Sequence, residues 1–249
     1  MNRWHLHNGI AQDLFAMMDD DTNTVLRKGS VDLVLTDPPY VISKATGFKT
    51  KNIDGKFDGI GSYAITTEFG TWDTEHGFTM EALEATIQGM YDSLRPGGTA
   101  IVFFDLWKVS QLFDMMERAG FGRLTMLEWA KTNAVPINAR ASYLTNAREI
   151  AVYGVKPGGP STAHAPNPHG RYNYPIQSGK DRFHPTQKST ALFQELIRVF
   201  SNPGDLVLDC FAGSATTGVA ALAEGRRFVG SEPDPTYFAK SFARLSAIT

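Results

Sequence analysis

One cysteine, Cys210, stands in 249 residues, so neither an intrachain disulfide nor a multi-cysteine zinc site can form. A lone thiol suits a reducing cytosol. No apolar run approaches the roughly 18 residues of a membrane span, and Met1-Asn-Arg-Trp-His lacks the apolar stretch of a secretory signal. The expected setting is therefore cytoplasmic, with no membrane partner. The six histidines show no metal-ligand spacing: His5 and His7 alternate along a strand and the others fall elsewhere, so no metal is expected. The dinucleotide fingerprint GxGxxG is missing. Gly213 and Gly218 have P-loop spacing, but Val219-Ala220 stand where Lys-Ser/Thr is required, so no lysine reaches a nucleotide phosphate.

What is present is an ordinary globular composition, 42% apolar with 11% aromatics, at a length that suits one domain. Short β-rich runs alternate with helical patterns. Strands are predicted at 31–37, 99–104, 124–129, 149–154, 206–211 and 228–232, and helices at 80–94, 107–119, 188–200, 216–224 and 235–245. That alternation predicts an α/β fold with a mostly parallel sheet and helices on both faces. Two stretches carry no period. One is 41–72; the other, 157–182, is rich in Pro, Gly, Asn and Ser and reads as a loop or small recognition insert.

Net charge is −2, yet it is unevenly spread. From Arg123 to Lys188 there are nine basic residues and three acids, leaving −8 for the rest of the chain. Such asymmetry predicts a positive face turned toward a polyanion.

In sheets of this kind ligands bind beyond the carboxyl ends of the strands, and two such ends carry unusual chemistry. In Asp37-Pro38-Pro39-Tyr40 neither proline can extend the ladder, so the turn is stiff. It presents a carboxylate, the Pro38 carbonyl and an aromatic ring together. Two acceptors suit the two N–H groups of a planar amine, and a ring suits the heterocycle that bears it. The other end, Asp209 to Gly218, is a strand, a tight glycine turn and a helix. Glu232 closes the next strand 19 residues after Gly213, where a carboxylate could hold two ribose hydroxyls. The plain alternatives are a rigid strand-end turn and an ordinary βαβ connection with a surface glutamate.

Together these segments carry a resemblance. Asp37-Pro-Pro-Tyr40 after Val-Asp-Leu-Val-Leu-Thr resembles the catalytic motif of S-adenosylmethionine-dependent DNA amino-methyltransferases. His184-Pro-Thr-Gln-Lys188, the run from Pro203 to Thr217, Gly225 to Glu232, and Tyr237 follow in the order of the β-class, catalytic motif first and cofactor motif last. Arg95-Pro-Gly-Gly98 and Glu128-Trp-Ala-Lys131 also match the family pattern.

The resemblance implies a Rossmann-like methyltransferase fold with circularly permuted motif order, forming a single domain over 1–249 with its cofactor-binding half at 183–249. It implies S-adenosylmethionine as cofactor and a flipped adenine in double-stranded DNA as target. Within the catalytic set Asp37, Pro38, Pro39 and Tyr40, Asp37 and the Pro38 carbonyl would bind the target amine, with Tyr40 against the flipped base. Phe211, Ala212, Gly213, Ser214, Thr216, Thr217 and Glu232 would bind the cofactor, closed in by His184, Pro185 and Thr186. Lys188 would assist at the cofactor carboxylate or else face solvent at a helix start. DNA contacts would come from Lys44, Lys49, Lys51 and Lys56 in the first loop, and from Arg140, Arg171, Tyr172, Asn173, Lys180 and Arg182. Tyr174 and Gln177 offer a further ring and amide. The insert is short, and a partner subunit, such as a second copy in a homodimer, could add contacts.

Asp at the first motif position resembles the adenine enzymes, whereas cytosine-N4 members more often carry Ser. RNA or a protein amide is the remaining substrate class, and a non-catalytic binder the non-enzymatic reading. Three departures bear on these: Cys210 and Ala215 replace the family's usual proline and glycine, and Ile10 follows Asn8-Gly9 where an acid is common, with Asp13 three residues on. Ala215 is costly if its φ is positive.

Overall fold

The alternation along Val31-Asp-Leu-Val-Leu-Thr36 sends Leu33 and Leu35 to one face of a strand and Val34 to the other, all three with no exposed surface. A strand buried on both faces belongs in the middle of a layered sheet. The computed structural model describes residues 3–19, 25–39, 78–134, 145–165, 169–178, 182–184 and 186–248. The first long stretch, 41–72, lies outside the described residues, as do Tyr40, Lys44, Lys49, Lys51, Lys56, Arg140, Lys180 and Pro185.

In chain order the elements are β1 (Trp4–His7), α1 (Ala11–Ala16), β2 (Val31–Thr36), α2 (Met80–Ser93), β3 (Leu94–Phe104), α3 (Val109–Ala119), β4 (Gly122–Lys131), β5 (Arg148–Val155), β6 (Arg171–Tyr174), α4 (Thr190–Phe200), β7 (Leu206–Asp209), α5 (Thr216–Ala223), β8 (Arg227–Ser231) and α6 (Pro235–Ser246). The eight strands form one sheet in the order β1-β8-β7-β2-β3-β5-β4-β6. All neighbours are parallel except where β5 meets β3 and β4. The predicted mostly parallel sheet is thus observed, and among the described residues its one reversed strand is β5.

Two hydrophobic layers enclose it. Leu33, Leu35, Ile101, Phe103, Trp129 and Val207 pack against α4, α5 and Leu245 of α6. Val34, Val102, Phe104, Val152 and Leu208 pack against α1, α2 and α3. Arg95 ties the sheet's far end: its Nε lies 2.6 Å from Asp32 Oδ1, while Asp32 Oδ2 accepts the Leu206 N–H at 2.8 Å. Within Arg95-Pro-Gly-Gly98, Gly97 has φ +82 and its backbone is pressed against Pro160, so a side chain there has no room.

Three elements depart from the sequence reading. Helix α1 carried too short a period to predict. Strand β3 begins at Leu94 rather than Thr99, because Leu94 already pairs with Val31 of β2 and the Arg-Pro-Gly-Gly stretch falls in the register shift before Thr99 meets Leu33. The insert 157–182 is not wholly loop: Arg171–Tyr174 form β6, an edge strand parallel to β4. Trp129 Nε1 secures it by donating to the Tyr174 carbonyl at 2.8 Å.

Ala215 has φ +55 and ψ +35, is fully buried, and starts α5. A left-handed alanine costs roughly 1–2 kcal/mol, so this departure carries the cost that a positive φ implies. Ala215→Gly relieves the strain while losing a buried methyl and a more restricted unfolded chain, and is expected within about 1 kcal/mol of the parent. Ala215→Val adds a branched side chain where φ is positive and should cost at least about 2 kcal/mol. In thermal unfolding that difference appears as a drop of roughly 4–8 °C for the valine variant alone.

Candidate active site

Parallel pairing of β2 with β7 sets Leu33 opposite Val207 and Val34 opposite Leu208, so the strands end side by side. Their ends are joined by a buried carboxylate. Asp209 Oδ1 accepts from the Thr36 hydroxyl at 2.6 Å and from Phe211 N–H at 3.1 Å, and Oδ2 accepts from the Thr217 hydroxyl at 2.6 Å. Burial pushes the Asp209 carboxyl up to about 6, partly opposed by those hydrogen bonds. The Asp-Pro-Pro turn is thereby fixed against the glycine turn.

Between them lies a cavity of about 600 Å³, within the usual range of small-molecule sites. It brings together Asp37, Pro38, Pro39, His184, Thr186, Lys188, Phe211, Ala212, Gly213, Ser214, Thr216, Thr217 and Glu232. Gly213 has φ +52, and a Cβ placed there would meet the His184 ring at 3.6 Å. His184 is held by Thr186, whose N–H donates to Nδ1 at 3.3 Å, and its ring sits edge-on to Tyr237 with centroids 4.3 Å apart. Burial, with Lys188 nearby, pushes His184 down to about 4, so it is a neutral wall at pH 7. Arg244 braces the glycine turn by donating to the Ser214 carbonyl at 2.8 Å.

Glu232 faces the cavity half-prepared for a ligand. One oxygen accepts Gly213 N–H at 2.8 Å and the other Asp234 N–H at 2.9 Å. Burial pushes its carboxyl up to about 7 despite those two bonds. The cavity, its buried carboxylate and its small backbone turn fit an adenosyl group with a short chain, and Glu232, Gly213 and the His184 ring are placed to hold it. Ile10, one of the three departures, lines the cavity from the cap of α1, and other lining residues escaped the sequence reading: Ala11 and Gln12 from α1, Ala82, Gln187, Phe193, Pro233, and Phe78, whose ring meets Phe211 at 5.1 Å. Asp13 caps α1, accepting the Ile10 N–H at 3.2 Å. Gln12 instead enters the wall, its amide donating to the Ala82 carbonyl and Thr86 hydroxyl.

Lys188 is not a solvent-facing residue. Its side chain is 9% exposed, and Nζ lies 2.7 Å from Asp37 Oδ2 and 2.7 Å from Glu149 Oε2. Lys131 Nζ lies 2.8 Å from the other oxygen of Glu149. Although burial works against it, the two ammonium groups hold the Glu149 carboxyl below the usual range. Cys210 is buried, and burial pushes its thiol far above the normal value, so it packs as a small apolar side chain.

The positive face expected from 123–188 is smaller than its charge count. Lys131 and Lys188 are committed inward, and Lys156 donates to the Tyr91 carbonyl. On β6, Arg171 is 66% exposed and 3.6 Å from Glu128, and Asn173 is exposed. Tyr172 is instead half-buried against the core, which pushes its hydroxyl up to about 12. Arg182 is exposed.

A family of DNA methylases acting at N6 or N4 amines matches residues 31–243. The chain belongs to that family. It is 27% identical to the type II methyltransferase M2.DpnII of Streptococcus pneumoniae, over 89% of this chain and 85% of that one. M1.HpyAVI, crystallised in complex with SAM, superimposes with a TM-score of 0.70 at 24% identity, covering 97% and 99% of the two chains. PvuII DNA methyltransferase, described as cytosine-N4-specific, gives 0.69 at 19% identity, covering 100% and 92%. Likeness at that level of identity establishes the shared fold. Among the described residues no helix is long and apolar enough to cross a membrane, and no group of acids, histidines or cysteines is set to hold a metal.

Proposed function

We propose that this methylase transfers a methyl group to the exocyclic N6 amine of adenine in double-stranded DNA, with S-adenosylmethionine in the cavity between β2 and β7. The observation that carries the reading is the placement of Asp37 and Pro38 on the rim of the same cavity that Glu232 and Gly213 line. Bound there, S-adenosylmethionine supplies an electrophilic methyl group. The chain's own groups position and desolvate. Asp37 and the Pro38 carbonyl accept the amine's hydrogens, drawing a lone pair otherwise delocalised into the ring out toward the donor. Glu232 accepts the ribose hydroxyls, while His184 and Thr186 close the opposite wall. A paired base cannot reach a carboxylate at the end of a buried strand, so the target base is flipped. Asp37 and the family resemblance favour adenine; N4-cytosine methylation uses the same two acceptors and remains the alternative.

The edge strand β6 and Arg182 supply the DNA-facing surface on this reading, together with the basic residues of the first loop. A bacterial cell or an infected host would provide the DNA.

Nucleoside mass spectrometry of unmethylated DNA incubated with the protein and S-adenosylmethionine should yield N6-methyladenine. Asp37→Ala should lower the yield more than roughly 100-fold. Methylcytosine would move the target to the alternative, and no product with either base would sink the enzymatic reading. Cofactor binding should also depend on pH. Hydroxyls donate better to a carboxylate than to a carboxylic acid, so binding favours ionised Glu232. Affinity should therefore fall as pH drops below about 7, with protons released on binding in that range, and Glu232→Gln should flatten the profile in calorimetry. Arg171→Ala should weaken DNA binding and reduce the salt dependence by about one contact; an unchanged slope would remove Arg171 from the interface.

A further inference from the structure

The pocket presents an electrostatic puzzle. On the reading above it receives a sulfonium cation, yet a buried lysine ammonium lines it beside the acceptor for the target amine. A pocket with an uncompensated Lys188 would repel its own cofactor. Glu149 does not line the cavity, being set behind Lys188 on β5, two strands away from Asp37. Lys188 crosses the intervening β3, with Nζ 5.8 Å from the centre of the Phe103 ring, and reaches both carboxylates. Lys131 at the end of β4 closes the row from the far side of Glu149. The four side chains are each less than one-fifth exposed and alternate in sign, so the row is neutral as a whole. Among the described residues, Asp209, engaged by Thr36 and Thr217, feels the charge of Asp37, and neutral His184 that of Lys188.

We propose that Glu149 is the residue that lets the pocket accept a cationic cofactor. It cancels the charge of Lys188, so that Lys188 can pin Asp37 Oδ2 in place without repelling a sulfonium. Glu149 therefore acts through Lys188, as a positioning and charge-balancing residue rather than one that touches the substrate. This inference rests on the cofactor reading of the cavity.

The test compares binding of S-adenosylmethionine with that of S-adenosylhomocysteine, which has the same shape without the methyl and its positive charge. Calorimetry on the full chain gives the ratio of the two affinities, and thermal unfolding checks that each variant is folded. Glu149→Gln leaves one excess positive charge and should shift the ratio against S-adenosylmethionine by about tenfold. Lys188→Gln leaves one excess negative charge and should shift it by a similar factor the other way. The double variant is neutral again and should return to within about threefold of the parent. A packing defect weakens both ligands alike, so an unmoved ratio in the single variants overturns the proposal. If Glu149→Gln does not fold, the opposite-sign shift in Lys188→Gln decides it. Should the parent bind neither compound, the cofactor reading itself falls, an outcome distinct from parent binding with an unmoved ratio.

Discussion

Thr36 and Asp209 are 173 residues apart in the chain, and the site exists because a hydrogen bond of 2.6 Å joins them. The carboxylate also accepts from Thr217 and from Phe211 N–H, so it holds the end of β2, the glycine turn and the start of α5 in one cluster. An unpaired buried charge is costly, which is why three donors converge on it. Burial still pushes its carboxyl up to about 6, a sign that the site is built at some expense to stability above that pH. The raised Glu232 carboxyl adds to the same cost: a group held more protonated in the fold than in the unfolded chain stabilises at low pH, and that benefit is lost as pH rises through about 7.

The fold was legible where burial on both faces writes itself into composition. Val31-Asp-Leu-Val-Leu-Thr36 and Leu206-Val-Leu-Asp209 read as strands because a parallel sheet under two helical layers leaves little room for polar side chains. Asp37-Pro-Pro stood out for the opposite reason, as two prolines that no continuing strand accepts. Strand β6 was illegible because an edge strand needs only one covered face. Arg171-Tyr-Asn-Tyr174 alternates exposed with half-buried residues inside a stretch otherwise rich in Pro and Gly. Ala215 could be flagged from sequence only as a question, since the sign of φ is set by the turn that Asp209 and the Ala212 carbonyl shape around it.

Charge was the least legible layer. Nine basic residues between 123 and 188 look alike in a count, yet Lys131 and Lys188 lie inside a buried row while Arg171 and Arg182 face outward. Nothing local distinguishes them. The difference arises from β5 running backwards between β3 and β4, which brings its first residues, Arg148 and Glu149, to the sheet edge where the parallel strands end. A residue there can meet partners from β4 and the segment before α4 at once.

That reversal gives the antiparallel strand a chemical consequence. Were β5 parallel to its neighbours, its start would lie at the opposite edge of the sheet, and Glu149 would be a sheet's width from Lys188. Among the described residues the lysine next to Asp37 would then lose one of its two carboxylates, in a cavity whose other described acids, Asp209 and Glu232, are already engaged by threonine hydroxyls and backbone N–H groups. Strand direction, a topological property with no local sequence signature, thus decides the charge balance next to the reacting groups. A resemblance in motifs can name Asp37 and Gly213, but the compensation for Lys188 comes from the sheet.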